Sequence, residues 1–275
     1  MVFFIIYPHF AQNIHKRLLK EGRSMDENVL NTIMDIGAEL LRCGGEVYRT
    51  EEALLRMSGA YGAVTADVFV VSTCIILAVV GTDGVSHTKM RRISGHAVDL
   101  DRLDSLNDLT RRMCRLRPPL REVRAELSDI HVRKTYSMFL KSILYFVIAG
   151  SFSLFFGGTF RDACVSGVLG MFLMTLLRLC TQIEINNIFS IILCSYCSGL
   201  LAVLSIGVGW GDNLDTIMIG DIMLIIPGLA FTNGIRDMLG GDFVSGLMRL
   251  IDASLLAVAV SAGFAFAARF SWHLI

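Results

Sequence analysis

Residues 215–252 read DTIMIGDIMLIIPGLAFTNGIRDMLGGDFVSGLMRLID, and this stretch decides the fold. It begins as a membrane segment, because residues 218–231 are almost wholly apolar. Asp221 lies inside this apolar run, and Pro227-Gly228 interrupts it. Proline removes a backbone donor and clashes with the preceding turn, so we predict that the helix kinks or unwinds there. A broken helix at membrane depth needs protein or a polar cavity around its freed backbone groups.

A dense polar cluster surrounds and follows the break: Asn233, Arg236, Asp237, Asp242, Ser245, Arg249 and Asp252. The first three are spaced by three and four residues, which places them on one face of a helix, and the last four repeat that spacing. A charge in hydrocarbon costs roughly 2.5–3.5 kcal/mol on insertion scales, and ionisable residues at that depth indicate a functional site.

Two structural interpretations of this cluster stay open. Residues 233–246 are glycine-rich and could form a solvated loop between two spans, which would make Asp237 and Asp242 ordinary surface residues. Arg249 could pair with Asp252 or Ser245 in a purely structural role. Asp221 and Asp252 are flanked by apolar residues on both sides, which favours a functional interpretation for them.

The composition indicates a membrane protein. The chain has 275 residues, of which 53% are hydrophobic, and its mean hydropathy is +0.59. These values are too apolar for an ordinary soluble domain. The 25 basic and 25 acidic residues balance, but most of them precede residue 142. A polar N-terminal part therefore precedes a membrane part, and the absence of a basic tract predicts no nucleic-acid partner.

The cysteines predict neither a metal site nor a cofactor. There are seven, an odd number without framework spacing. Cys194 and Cys197 form a C-x-x-C pair, but it lies in an apolar segment and no second ligand pair follows. We interpret these residues as small packing residues of a membrane helix.

The chain divides into an N-terminal extension (1–24), an α+β domain (25–132) and a membrane domain (133–275). The extension opens with MVFFIIYPHF, which is too short to span a bilayer and lacks the flanking features of a signal peptide. Met25, followed by Asp26 and Glu27, is a plausible alternative start.

Periodicity predicts the elements of the α+β domain. Residues 26–62 have helical spacing that Gly44-Gly45 interrupts. Residues 64–93 are rich in β-branched residues and predict three antiparallel strands, and helices follow over 99–116 and 120–130. A polar group opens the second helix: Glu46, Tyr48, Arg49, Glu51 and Glu52. Its carboxylates suit the helix dipole, and a regulatory or substrate-facing role is the alternative.

Five spans are predicted at 136–156, 162–180, 187–207, 214–232 and 247–270, each near the ~20 residues that a bilayer requires. One side carries most of the flanking basic residues: Arg133, Lys134, Lys141, Arg178, Arg236 and Arg249. The other side carries Arg161 and Arg269. The positive-inside rule then places the N-terminal domain in the cytoplasm and the C-terminus outside. The predicted fold class is an α-helical integral membrane protein with five transmembrane helices and an N-terminal cytoplasmic α+β domain.

Three stretches carry a resemblance to a known family: LLRCGGEVYRTEEALLRM (40–57), FFGGTFRDACVSGVLGM (155–171) and IMLIIPGLAFTNGIRDMLGGDFVSGLMRLIDA (222–253). The chain resembles the threonine/serine exporter family over nearly its whole length from Met25. The resemblance implies a cytoplasmic α/β domain before five membrane helices, in the cell (inner) membrane.

The resemblance also implies a partner. Fused members of the family carry a second membrane half, which this chain lacks after its fifth predicted span. The chain is therefore similar to the larger, YjjP-like subunit of a two-component version, which pairs with a small YjjB-like membrane subunit. That version is associated with succinate export, and the fused version with threonine and serine. A homo-oligomer is a further expected assembly.

The leading hypothesis is an exporter of small polar carboxylate metabolites. Arg236 and Arg249 are candidates for binding a substrate carboxylate, since guanidinium offers bidentate geometry. Asn233 would hydrogen-bond the substrate, and Asp237 would position Arg236. Asp221 and Asp252 are candidates for proton coupling, with Asp242 and Ser245 along the same pathway.

Two alternatives come from other classes. A membrane-anchored enzyme could carry a hydrolase-like site in its cytoplasmic domain, built from His87, His96, Asp83, Asp99 and Asp101. Their spacing matches no catalytic motif, so no catalytic residue is predicted. A regulatory subunit without a pathway of its own is the third possibility.

Overall fold

The structure is a computed structural model that describes residues 26–95, 98–133 and 136–271, with side chains described to Arg269. These residues form two compact units. The first unit comprises the described residues up to Arg133 together with Asn233–Arg249. The second unit comprises the described residues within Lys134–Thr232 and Leu250–Ile275. The predicted extension 1–24, the alternative start Met25, and the residues His96 and Lys134 lie outside the described ranges.

The first unit contains two helices, a sheet and two further helices before the membrane segments. In chain order these are α1 (Glu27–Arg42), α2 (Val47–Ala60), β1 (Thr65–Val71), β2 (Cys74–Val80), β3 (Ser86–Arg92), α3 (Leu100–Leu116) and α4 (Leu120–Val132). The helices predicted around Gly44-Gly45 and the helices predicted before and after Pro118-Pro119 are all present. The three strands pair antiparallel in the order β1-β2-β3, as their β-branched composition predicted.

Burial explains why these segments fold as they do. One stripe of α1, with Leu30, Ile33 and Ile36, is at most 1% exposed and forms the centre of the core. On β2 every second residue points inward, so Ile75 and Leu77 are fully buried against that stripe. The period of two on the strand and the period near 3.6 on the helix therefore direct apolar side chains to one common core.

The connection between α1 and α2 is a tight turn that requires glycine. Gly44 has a φ of +91°, in the region that residues with a Cβ rarely adopt. At Gly45 a Cβ would lie 2.6 Å from the carbonyl oxygen of Leu40. The two glycines thus hold the backbone of this connection in one compact shape, with the carbonyl groups of both residues available as acceptors.

The membrane-type helices are α5 (Met138–Phe155), α6 (Phe160–Gln182), α7 (Asn187–Gly207), α8 (Leu214–Ile225), α9 (Gly228–Leu239) and α10 (Phe243–Ser271). Among the described residues, four helices are long and apolar enough to cross a membrane: α5, α6, α7 and α10. The pair α8 and α9 is bent by 53°, and the number rises to five if this pair counts as one span. The predicted break at Pro227-Gly228 is confirmed, because α8 ends at Ile225 and α9 begins at Gly228.

Small residues let the helices of the second unit approach closely. At Gly220 on α8 a Cβ would lie 2.2 Å from the hydroxyl oxygen of Ser166 on α6. At Gly263 on α10 it would lie 2.5 Å from the Cβ of Ser195 on α7. Association of membrane helices depends on such close packing, because lipid offers no hydrophobic driving force between them.

Asp162 ties the start of α6 to the segment before α8. Its carboxylate is fully buried and accepts hydrogen bonds from the backbone N–H groups of Thr159, Asp212 and Asn213, at 2.8, 2.7 and 3.0 Å. The backbone bonds show how a carboxylate is buried there without a basic partner.

Candidate functional site

The polar residues that follow the helix break lie against the connection between α1 and α2. The amide nitrogen of Asn233 donates to the carbonyl oxygen of Gly44 at 3.2 Å. The Nη2 of Arg249 donates to the carbonyl oxygen of Gly45 at 2.8 Å. We call Asn233, Arg236, Asp237 and Arg249, with Glu46, the arginine cluster. Its members come from α9, the start of α10 and the residue before α2, all within the first unit.

Arg236 presents the accessible cation of this cluster. Its guanidinium forms an ion pair with the carboxylate of Glu46, although the side chain of Arg236 remains 57% exposed. The second oxygen of Glu46 lies 3.3 Å from the Nε of Arg49. A half-exposed arginine that holds a single carboxylate has the chemistry to exchange that carboxylate for another one.

Asp237 is the buried member of the cluster. Its side chain is 1% exposed, and its Oδ1 accepts a 3.4 Å hydrogen bond from the backbone N–H of Val47, the first residue of α2. Its Oδ2 lies 3.3 Å from the Nε of Arg249, whose side chain is 14% exposed. The two atoms do not form a hydrogen bond, so within the described residues Oδ2 has no donor. The pair is therefore held by charge attraction, and one oxygen is left to accept a further donor.

Two more carboxylates lie beside the cluster. Glu51 on α2 accepts a 3.0 Å hydrogen bond from the backbone N–H of Val70. Burial raises the pKa of Glu51, the bond from Val70 opposes that rise, and the negative charge of Asp242 adds to it. Burial likewise raises the pKa of Asp242, which follows α9. The turn between α9 and α10 thus brings negative charge close to the start of α2.

The pairing within the cluster differs from the sequence-based expectation. Residues 233–239 are helical and Asp237 is buried, so the solvated-loop interpretation was wrong for them. Asp237 contacts Arg249 and Val47, and Arg236 contacts Glu46, so Asp237 was wrongly expected to position Arg236. The pairing of Arg249 with Asp252 or Ser245 was wrong for the same reason. The contacts of Asp237 with Val47 and of Arg236 with Glu46 join residues 190 positions apart, which no local pattern reveals.

Asp221 occupies a separate site inside the second unit. It is fully buried on α8, and its two oxygens accept from the hydroxyl groups of Ser198 at 2.5 Å and Ser166 at 3.3 Å. These serines come from α7 and α6. The sequence predicted Asp221 but missed both serines, because an isolated serine in an apolar helix carries no distinguishing pattern.

Ser245 and Asp252, which the sequence grouped with Arg249, differ in exposure. Ser245 is 1% exposed at the start of α10. Asp252 is exposed on α10, and none of the described residues forms a hydrogen bond or ion pair with it. It lies between Ile251 and Leu255, which are 51% and 49% exposed. The carboxylate of Asp252 therefore stands on an open apolar helix face.

Three acidic residues of the enzyme alternative have local structural contacts. Asp83 accepts from the backbone N–H of Val85 at 3.0 Å, and Asp99 caps α3 by accepting from Arg102 at 3.0 Å. Asp101 lies 3.8 Å from a guanidinium nitrogen of Arg133. Among the described residues, no three His, Cys, Asp or Glu side chains lie close enough to hold a metal ion.

The helices and the buried acidic groups define a multi-pass membrane protein with polar sites among apolar helices. The family model described as threonine/serine exporter, ThrE, matches residues 31–271. The chain therefore belongs to the threonine/serine exporter family, a family of membrane exporters. No curated protein and no solved structure matches the chain.

Proposed function

We propose that this chain is a subunit of a membrane exporter for small polar carboxylate metabolites, with threonine and serine or a dicarboxylate such as succinate as substrates. The observation that carries the proposal is the arginine cluster. Arg236 holds the carboxylate of Glu46 at an accessible position, and a substrate carboxylate would take the place of Glu46. Glu46 would then act as an internal competitor that occupies the site between transport events.

Asp237 favours an amino acid over a dicarboxylate as the substrate. Its Oδ2 is buried and has no donor among the described residues, and a buried acceptor without a donor costs about 1–3 kcal/mol. The ammonium group of threonine or serine supplies three donors and a positive charge. A dicarboxylate would instead bring a second negative charge towards Asp237. The cluster therefore matches a zwitterion, with the carboxylate at Arg236 and the ammonium group at Asp237.

The chain would work with a second membrane component. Asp252 lies exposed on an apolar face of α10, and a charge that faces lipid costs roughly 2.5–3.5 kcal/mol. A small membrane subunit of the YjjB-like kind, or another copy of this chain, would cover that face. Counting α8 and α9 as one span gives five spans. In the proposed orientation, which the distribution of basic residues supports, the N-terminal domain is in the cytoplasm and the C-terminus is outside the cell (inner) membrane.

Export of labelled threonine, serine and succinate from cells tests the proposal. The chain should be expressed with and without the small partner subunit, and export should be normalised to membrane abundance. We expect export only with the partner, and we expect it to be lost in Arg236→Ala. Arg236→Lys keeps the charge but loses the planar fork, so it should retain only part of the export.

Arg56→Ala is the matched control, because Arg56 also forms an exposed ion pair with a glutamate on α2. It should leave export unchanged. Export by Arg236→Ala close to that of the parent would remove Arg236 from the substrate site. Asp237→Asn should impair export of threonine and serine more than that of succinate, and an equal effect on all three would contradict the zwitterion assignment.

A further inference from the structure

The site around Asp221 places a carboxyl group inside the helix bundle of the second unit without a basic partner among the described residues. Asp221 is fully buried, and no ion pair links it to any described residue. Its only described side-chain partners are two neutral serine hydroxyl groups. An ionised carboxylate in such surroundings is unfavourable unless a cation accompanies it.

The oxygen atoms of the site converge from three different helices. The carboxylate belongs to α8, Ser166 to α6 and Ser198 to α7, and each hydroxyl oxygen lies within 3.3 Å of a carboxylate oxygen. Gly220, directly before Asp221, makes this approach possible, because any Cβ there would lie 2.2 Å from the oxygen of Ser166. It would also lie 2.6 Å from the carbonyl oxygen of Ala149 on α5. The packing around Gly220 therefore brings α5 and α6 close to α8, and the carboxylate of Asp221 meets one hydroxyl group from α6 and one from α7.

We propose that Asp221, Ser166 and Ser198 form a binding site for a single sodium ion. One negative charge with neutral oxygen ligands matches a small hard monovalent cation, which prefers oxygen donors. A transition metal would require nitrogen or sulfur ligands, and a divalent cation would require more carboxylates. The position also fits, because Asp221 lies one turn before the helix break, and discontinuous helices are where secondary transporters bind their coupling ions.

Heat unfolding of the purified full-length chain in detergent tests sodium binding without any transport step. The midpoint should be measured in NaCl, KCl and choline chloride at equal ionic strength. We expect a saturable rise in the midpoint with NaCl alone, because a ligand that binds only the folded state stabilises it. Direct binding of radioactive sodium should saturate at a single ion per chain.

Three variants make the result specific. Asp221→Asn should abolish the sodium effect, and Ser198→Ala should weaken the apparent affinity by about tenfold or more. Asp215→Asn is the control, since Asp215 lies on the same helix as Asp221 but is exposed and outside the site. It should leave the sodium effect intact. If Asp221→Asn fails to fold, Ser198→Ala decides the outcome.

Three results would overturn the sodium site. The first is an unfolding midpoint that is the same in NaCl and in KCl. The second is a sodium effect that survives in Asp221→Asn. If that variant does not fold, the corresponding result is an unchanged apparent sodium affinity in Ser198→Ala. The third is stabilisation that follows pH alone in sodium-free buffer, which would assign the site to a proton. The role of the ion as a driving ion rests on the proposed export function. Sodium binding by a chain that exports none of the three labelled substrates even with its partner subunit would contradict the export proposal and leave the site in place.

Discussion

At the scale of single residues, loss of the buried ion pair between Arg249 and Asp237 should destabilise the fold most. Arg249→Met removes the only described cation beside Asp237, so it leaves a buried negative charge. Breaking such a pair from one side costs about 3–5 kcal/mol, and we expect the midpoint of heat unfolding to fall accordingly. The double variant Arg249→Met with Asp237→Asn should recover much of that loss, because the stranded charge is gone. Simple addition of the two single effects would show that the residues are not coupled.

At the scale of helices, Gly263 should not tolerate even a methyl group. Its Cβ would lie 2.5 Å from the Cβ of Ser195 and 2.7 Å from the carbonyl oxygen of Ile192. Overpacking of this kind typically costs about 1–3 kcal/mol, so Gly263→Ala should lower the unfolding midpoint in detergent. Gly207→Ala is the control, because a Cβ at Gly207 meets nothing within 4 Å. Equal midpoints for the two variants would contradict close packing between α7 and α10.

Local patterns were sufficient to predict the elements themselves. The β-branched residues of 64–93 predicted three strands, and Pro227 predicted the point where α8 and α9 separate. The partners of charged side chains could not be predicted in this way. Glu46 was interpreted as a carboxylate in a first helical turn, with a regulatory or substrate-facing role as the alternative. Its pairing with Arg236, 190 residues further along the chain, was not predicted. Contacts at that separation depend on tertiary packing, which periodicity and capping rules do not contain.

At the scale of the whole molecule, the proposed topology predicts where each end of the chain can be detected. A periplasmic reporter enzyme fused after Ile275 should be active, because five spans that start inside end outside. The same reporter fused after Arg133, in a chain cut at that point, should be inactive. Activity of a cytoplasmic reporter at Ile275 would contradict five spans and indicate that α8 and α9 enter and leave on one side.

The broken pair α8 and α9 also has a consequence for biosynthesis. Each half has 12 residues. At ~1.5 Å per residue, each is only about 18 Å long, against a hydrocarbon core of ~30 Å. Neither half would be recognised as a span by the insertion machinery. α8 packs against α5, α6 and α7, which leave the ribosome before it. Asp221 thus enters the bilayer only where Ser166 and Ser198 can donate hydrogen bonds to it. Membrane integration of this segment therefore becomes part of tertiary folding.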